Sequence, residues 1–541
     1  MKVTLSVAFV AVALGLPGAI VGCSDAAPPS EPSEGPRSVE GPEGVSEDPL
    51  VARPFDATHV HVRAAGRHDR LELAFAFAAQ RRHPRPPKPT KNGDWSYNVG
   101  GQVNGGTSVY ITNQITGTPS CTDMLYVPVN ATGTNLYAFT NLYDTCTNVT
   151  TDPKCSPSPA GHCPTVSWTW ASGSGTFNRN SVTSSLDGKT IYVSTTAGKL
   201  VALNTAPTAS PRIAWTFDAV TNTGSANATF VGSAAWVNYS TGTLYTAVQY
   251  GTPSNIRLYK LSPTGAQIAP ALTIANDGIA SGVLEWEGKV YFGSTSGKLY
   301  KINDNGTTLT QAAAPWPLAL TAEDCDTGCL NPIPVTGKAI YGTPTIDGLN
   351  NLLFVSLNNV MWSVRLGGAT DGQTHSSELG WQNGIQARAG DVSCYTSPML
   401  YADATTTQAV FVAHGKNQND IGAGAGPRIH RRTYQNDGTF DTNNLTSGIV
   451  GTGTDLTYPR SSPLIFQPTP TSPVWVYVGD NAGTLRRFVY TNAGFGTETD
   501  FTIPSNPQSI ESPVLVDTSN GNLYFGSNNG RVYQINQTSL L

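Results

Sequence analysis

The sequence predicts an all-β fold: a β-propeller of eight four-stranded antiparallel blades, closed into a ring by a strand from the N-terminal side. Three observations lead there. One short hairpin recurs along the chain, as in "GKTIYVSTTAGKLVALNT" at 188–205, "GKVYFGSTSGKLYKIND" at 288–304 and "GNLYFGSNNGRVYQINQ" at 521–537. Each hairpin follows a strand-like segment, and several precede a Trp-bearing one. The last copy lacks that final segment, while a spare one stands ahead of the first copy.

The hairpin copies span 124–140, 190–204, 243–261, 289–302, 352–366, 409–434, 475–490 and 522–535. In several, apolar and polar residues alternate, the period of a half-buried strand. Asn-Gly, Thr-Gly and Ala-Gly sit where a tight turn needs a residue at positive φ. The 55 glycines and only 13% charged residues suit many short strands and suit long helices poorly. In four later units the preceding strand opens on Ser/Thr-Pro: "TPTI" (343–346), "SPML" (397–400), "SPLI" (462–465) and "SPVL" (512–515). Proline cannot donate to a ladder, so it belongs at the first residues of a strand. A fourth segment follows as "VSWTWA" (166–171), "RIAWTFD" (212–218) and "LGWQNG" (379–384). Four antiparallel strands at a pitch of about 50–70 residues describe a propeller blade. The spare segment "DWSYNV" (94–99) can complete the eighth blade and leave no open edge. Seven blades, with the irregular first unit demoted to an insertion, is the alternative.

The N-terminus reads as an export signal over residues 1–22: Lys2, then the apolar "VTLSVAFVAVALGL", then "AIVGCS". Ile20-Val21-Gly22-Cys23 resembles the bacterial lipobox, which makes Cys23 the expected lipidation site. Several acyl chains on one Cys anchor stably, because each buried CH₂ contributes about 0.8 kcal/mol. Residues 23–92 are expected to form a tether. Its first part, 24–50, is Pro-, Glu- and Ser-rich and cannot bury enough apolar surface to order itself. Its second part carries Arg63, Arg67, Arg70, Arg81, Arg82, Arg85, Lys88 and Lys91, either as a solvated spacer or as a basic segment lying against anionic lipid or glycan. The propeller then occupies 93–541.

An exported protein meets an oxidising compartment, so disulfides are expected among the other cysteines. Cys325 and Cys329 in "CDTGC" could close one tight loop, and Cys121, Cys146, Cys155 and Cys163 could pair among themselves in a connectivity the spacing leaves open. Cys394 is left over. A zinc site from the same four is the rival reading, without the paired C-x2-C spacing that such sites use.

The pattern Y-V/F-G-S-x-x-G-x-L/V-Y-x-I/L at 290–302 and 523–535 resembles the pyrroloquinoline-quinone-type propeller repeat. That family includes quinoprotein dehydrogenases and the lipoprotein accessory of the bacterial outer-membrane barrel-assembly machine. The resemblance covers about residues 94–541 and implies fold more strongly than function. Its enzymes carry adjacent cysteines, calcium ligands and a catalytic Asp. This chain has no Cys-Cys pair, and its repeats lack the family's Asp-x-x-x-Gly-x-x-x-Trp spacing.

Other chemistries find no better footing. The Gly-rich run at 414–428 lacks a Walker Lys-Ser/Thr pair. "DNAGT" (480–484) and "DGTFDTN" (437–443) read as turns rather than calcium loops. No metal site and no cofactor are expected. The net charge of −5 argues against a nucleic-acid partner.

What remains is a rigid disc whose loops hold a partner. Lys338, Arg388, Asp391, Arg460 and Glu511 fall in loops leading into inner strands and form the candidate binding face. A long loop in the sixth unit, with Lys416, Arg428, His430, Arg431 and Arg432, is a second candidate, for an anionic partner. The expected function is a non-enzymatic, lipid-anchored lipoprotein of the bacterial envelope, at the outer membrane or cell surface rather than the inner membrane, that binds or scaffolds a protein or envelope polymer. The alternative is a quinone-dependent oxidoreductase or another divergent propeller enzyme.

Overall fold

The computed structural model describes residues 94–537 apart from 105–107, 111–119, 144, 147–151, 159–161, 174–181, 186, 231–234, 326–331, 358–359, 379–395, 403–407, 415–427, 442–445, 450–460, 468–472, 481, 492–493, 505 and 518–520. These residues form an all-β propeller. Its strands group into eight antiparallel sheets of four or five strands, with one separate two-stranded hairpin, Ala322–Cys325 with Pro332–Val335.

The first repeat makes a sheet of its own, from Ser108–Tyr110, Met124–Pro128, Leu136–Thr140 and Thr165–Trp170. We number this sheet blade 1 and the rest in chain order. Blade 8 contains Leu515–Val516, Asn522–Gly526 and Arg531–Asn536, and Asp94–Asn98 completes it from the other end of the chain. The register pairs Trp95 with Gln534 and Asn98 with Arg531. Closure through "DWSYN" is therefore as the sequence implies. One feature was not foreseen: Cys155–Ser158, from the blade 1 segment, adds a fifth strand outside Asp94–Asn98.

Side-chain packing runs unbroken around the ring. Tyr126 and Trp168 of blade 1 cluster with Ile191 and Val201 of blade 2, and Tyr192 of blade 2 with Leu244 and Tyr259 of blade 3. One large cluster runs from Tyr245 of blade 3 through Tyr291 of blade 4 to Leu353 of blade 5. Phe354 then meets Tyr434, Ile429 meets Val476, and Tyr477 meets Phe525. Trp95 and Tyr524 of blade 8 return to Leu125 and Phe139 of blade 1. Each apolar strand face is thus covered by the next blade, which is why an isolated blade has no core of its own.

Polar ties between blades recur at one position of the third strand. Lys260 of blade 3 pairs with Asp304 of blade 4 at 2.8 Å, and Lys301 of blade 4 with Asp371 of blade 5 at 2.8 Å. Burial alone would raise both carboxyls. The ammonium partners, with Tyr245 and the Gly306 N–H at Asp304 and the Gly367 N–H and Trp316 at Asp371, outweigh it and hold both below the usual range. The Trp-bearing fourth strands make a second set of ties. Trp168 Nε1 donates to Thr205 O at 3.1 Å and Trp215 Nε1 to Pro263 O at 2.8 Å, each across to the next blade.

Two expectations are corrected. The fourth strand of blade 5 is Thr374–Glu378, immediately before the "LGWQNG" segment, which lies outside the described residues. The basic residues of the sixth unit are not a loop face: Arg428–Thr433 is a strand, and Arg431 and Arg432 are 2% and 1% exposed. Arg431 lies over the Tyr490 ring of blade 7, 4.7 Å from its centroid. Lys416 lies outside the described residues.

Cys121 bonds to Cys146 and Cys155 to Cys163, so these four sulfurs are not zinc thiolates. The loops closed, 25 and 8 residues in separation, correspond to about 3.5 and 2.5 kcal/mol on the chain-entropy relation. Cys325 ends a described strand, while Cys23, Cys329 and Cys394 lie outside the described residues.

Candidate functional site

The loops leading into the inner strands share one rim of the ring with the turns between second and third strands. Main-chain bonds fasten them together. Val103 N donates to Ser527 O, Ile340 N to Ser294 O and Ile510 N to Asp480 O, each joining a lead-in loop to the turn of the preceding blade. Those turns hold glycine at positive φ at Gly198, Gly297, Gly483 and Gly530, as the repeated x-Gly pattern requires.

The glycine of "YFGS" has a different reason. A Cβ on Gly293 would lie 2.4 Å from Ile340 Cγ2, one on Gly479 2.3 Å from Ile510 Cγ2, and one on Gly526 2.0 Å from Val103 Cγ1. At each place the aliphatic side chain of the next lead-in loop occupies the space a side chain would need. The family-like motif is therefore a packing device that seats the lead-in loops.

The Ser/Thr-Pro segments do similar work through their hydroxyls. Thr343 N donates to Ser397 Oγ at 3.0 Å, and Ser397 N donates to Ser462 Oγ at 3.0 Å, linking blades 5, 6 and 7 in succession. Ser512 Oγ accepts from Gly526 N at 2.6 Å within blade 8. The missing N–H accounts for the proline in the sequence, and the hydroxyl's partner is visible only in the fold. The hydroxyl's signal was the recurrence of Ser or Thr before that proline.

Acidic side chains on this rim are drawn into the collar. Asp277, 5% exposed, accepts from Ser296 Oγ at 2.6 Å and Tyr300 OH at 2.9 Å. Asp480 accepts from Thr484 N at 2.7 Å and Arg486 Nε at 3.1 Å; burial is the largest influence and leaves its carboxyl above the usual range. Asp480 and Thr484 thus brace each other across the turn.

Of the five predicted binding residues, the structure describes Lys338 and Glu511, both half-buried on this rim. Glu511 Oε1 accepts from Asn528 Nδ2 at 3.0 Å, fastening the loop into blade 8 to that blade's own turn. The Lys338 backbone packs against the Gly297 turn of blade 4. Arg388, Asp391 and Arg460 lie outside the described residues. Among the described residues, no three His, Cys, Asp or Glu side chains gather as metal ligands would. No helix among them is long and apolar enough to cross a membrane.

Fold and rim together define a β-propeller with a braced collar of lead-in loops. No family model matches the chain, and no curated protein does. Among solved structures it is similar to BamB from Moraxella catarrhalis, at 15% identity over 69% of this chain and 86% of that one, with a TM-score of 0.41. It is also similar to the quinohemoprotein alcohol dehydrogenase from Comamonas testosteroni, at 11% identity over 84% and 78% of the two chains, with a TM-score of 0.46. A europium-containing methanol dehydrogenase matches at 11% identity over 80% and 85%, with a TM-score of 0.43. All three scores lie below 0.5, and the fold assignment rests on the strand pairing itself.

Proposed function

We propose that this chain is a non-enzymatic lipoprotein of the bacterial envelope, anchored through Cys23, whose propeller binds or scaffolds a protein or envelope polymer through its lead-in rim. The observation that carries the reading is the collar. Main-chain bonds and close-packed glycines hold the lead-in loops at Val103, Ile340 and Ile510 in fixed positions, and the described acidic groups Asp277, Asp480 and Glu511 brace the turns beside them. Preorganised loops lower the ordering cost of binding. A chain lacking the adjacent cysteines of the quinoproteins fits a binding role better than a redox one.

Chemical crosslinking in the native envelope, followed by affinity capture, tests this. Arg460→Glu and Glu511→Arg are expected to weaken capture of the main partner by about 2–5 kcal/mol where the charge is buried in the interface, with the fold retained. Cys23→Ala is expected to move the protein from the membrane to the soluble fraction. Capture unchanged in both rim variants, or dye reduction by the purified protein with added quinone and calcium, would overturn the reading.

A further inference from the structure

We infer that the Cys155–Cys163 disulfide is a redox-dependent lock on the seam of the ring, acting through a clasp that covers the closing strand. In blades 1, 2, 5, 6 and 7 the fourth strand is the outer edge of its sheet. In blade 8 the corresponding strand, Asp94–Asn98, is covered by Cys155–Ser158, with Trp95 opposite Pro157 and Tyr97 opposite Cys155. Among the described residues, the fourth strand held from both sides is the one that joins the two ends of the ring.

The clasp pairs with the closing strand over four residues, without the one bond that Pro157 cannot donate, and side chains reinforce it. Tyr97 OH donates to Asp152 Oδ2 at 2.6 Å, and Asn98 N donates to Lys154 O at 2.9 Å. Arg531 of blade 8 reaches across the closing strand, donating to Ser96 Oγ at 3.1 Å and to Ser156 Oγ at 2.7 Å. A strand of sequence "CSPS" has little apolar surface to bury on its own account. Its covalent hold is Cys163, 3% exposed and just ahead of Thr165–Trp170 in blade 1. The bond therefore ties a strand of the blade 8 sheet to the root of a blade 1 strand, across the seam. This inference rests on the closure geometry and is independent of the proposed binding role.

Forming the lock takes two protons and two electrons from the paired thiols. A disulfide oxidant such as oxidised glutathione accepts them and leaves as two thiols, and a dithiol reductant reverses the exchange. The seam is thus secured only where the chain meets an oxidising compartment.

Hydrogen–deuterium exchange on the full chain tests it. In a Cys155→Ser/Cys163→Ser variant, amides of 94–98 are expected to exchange faster by about 30-fold or more, the change in open population that a typical disulfide contribution implies. The fourth strand of blade 2, Ile213–Asp218, is expected to keep its protection. Reducing a folded Cys121→Ser/Cys146→Ser protein with dithiothreitol opens the same bond alone, without relying on the Cys155→Ser/Cys163→Ser variant to fold. Protection at 94–98 that survives opening of this bond by either route, or that is lost together with that of 213–218, overturns the lock.

Discussion

Trp95→Ala is expected to destabilise the propeller by about 3–5 kcal/mol, the range for removing a large aromatic from a core that cannot collapse around the gap. Trp95 is 2% exposed, and its ring faces Phe139 of blade 1 at 6.2 Å and Tyr524 of blade 8 at 6.3 Å between centroids. Its indole N–H donates to Leu142 O at 3.3 Å. Filling the gap would require two blades to move toward each other, and the remaining blade interfaces hold them apart. The midpoint of urea unfolding, monitored by circular dichroism, reads the loss. A cost below about 1 kcal/mol would mean that this Trp is not packed between the two blades.

Gly526→Val is expected to cost about 3 kcal/mol, the upper end for overpacking. The added Cβ would fall 2.4 Å from Val103 Cβ and 2.9 Å from Val103 O, so a side-chain rotation cannot relieve the contact. The lead-in loop of blade 1 would have to lift, and the Val103 N to Ser527 O bond of 3.2 Å would go with it. Val103→Ala in the same background should restore part of the loss, because it removes the nearest atoms while keeping the loop. A double-mutant cycle by urea unfolding measures that recovery. Equal costs for Gly526→Val with and without Val103→Ala would place the clash elsewhere.

The repeat, the blade pattern and the closing strand were legible because each rests on local rules. Alternation marks the second and third strands, glycine marks their turn, and a spare Trp-bearing strand at one end answers a missing one at the other. Polar edge strands were not legible. Thr374–Glu378, "THSSE", and Cys155–Ser158, "CSPS", lie at the margins of their sheets and need no apolar alternation to sit there. The burial of Arg431 depends on the Tyr490 ring, supplied from the next blade, which no local window contains. Disulfide partners follow from where the clasp lies, so spacing alone left them open. In the candidate site, the lead-in loops were found from their place in the repeat. The roles of Glu511 and of the Ser/Thr hydroxyls depend on contacts with neighbouring turns, which appear only in the folded chain.

Closure of the ring by residues 94–98 is tested most directly by the melting temperatures of two truncated proteins, one beginning at residue 93 and one at residue 101. The longer protein is expected to melt as the full-length chain does. The shorter one loses the ladder to Arg531–Asn536 together with buried Trp95 and Tyr97, and is expected to lose at least the 3–5 kcal/mol of the Trp95 variant, about, and to melt correspondingly lower. Equal melting temperatures for the two would contradict closure through this strand.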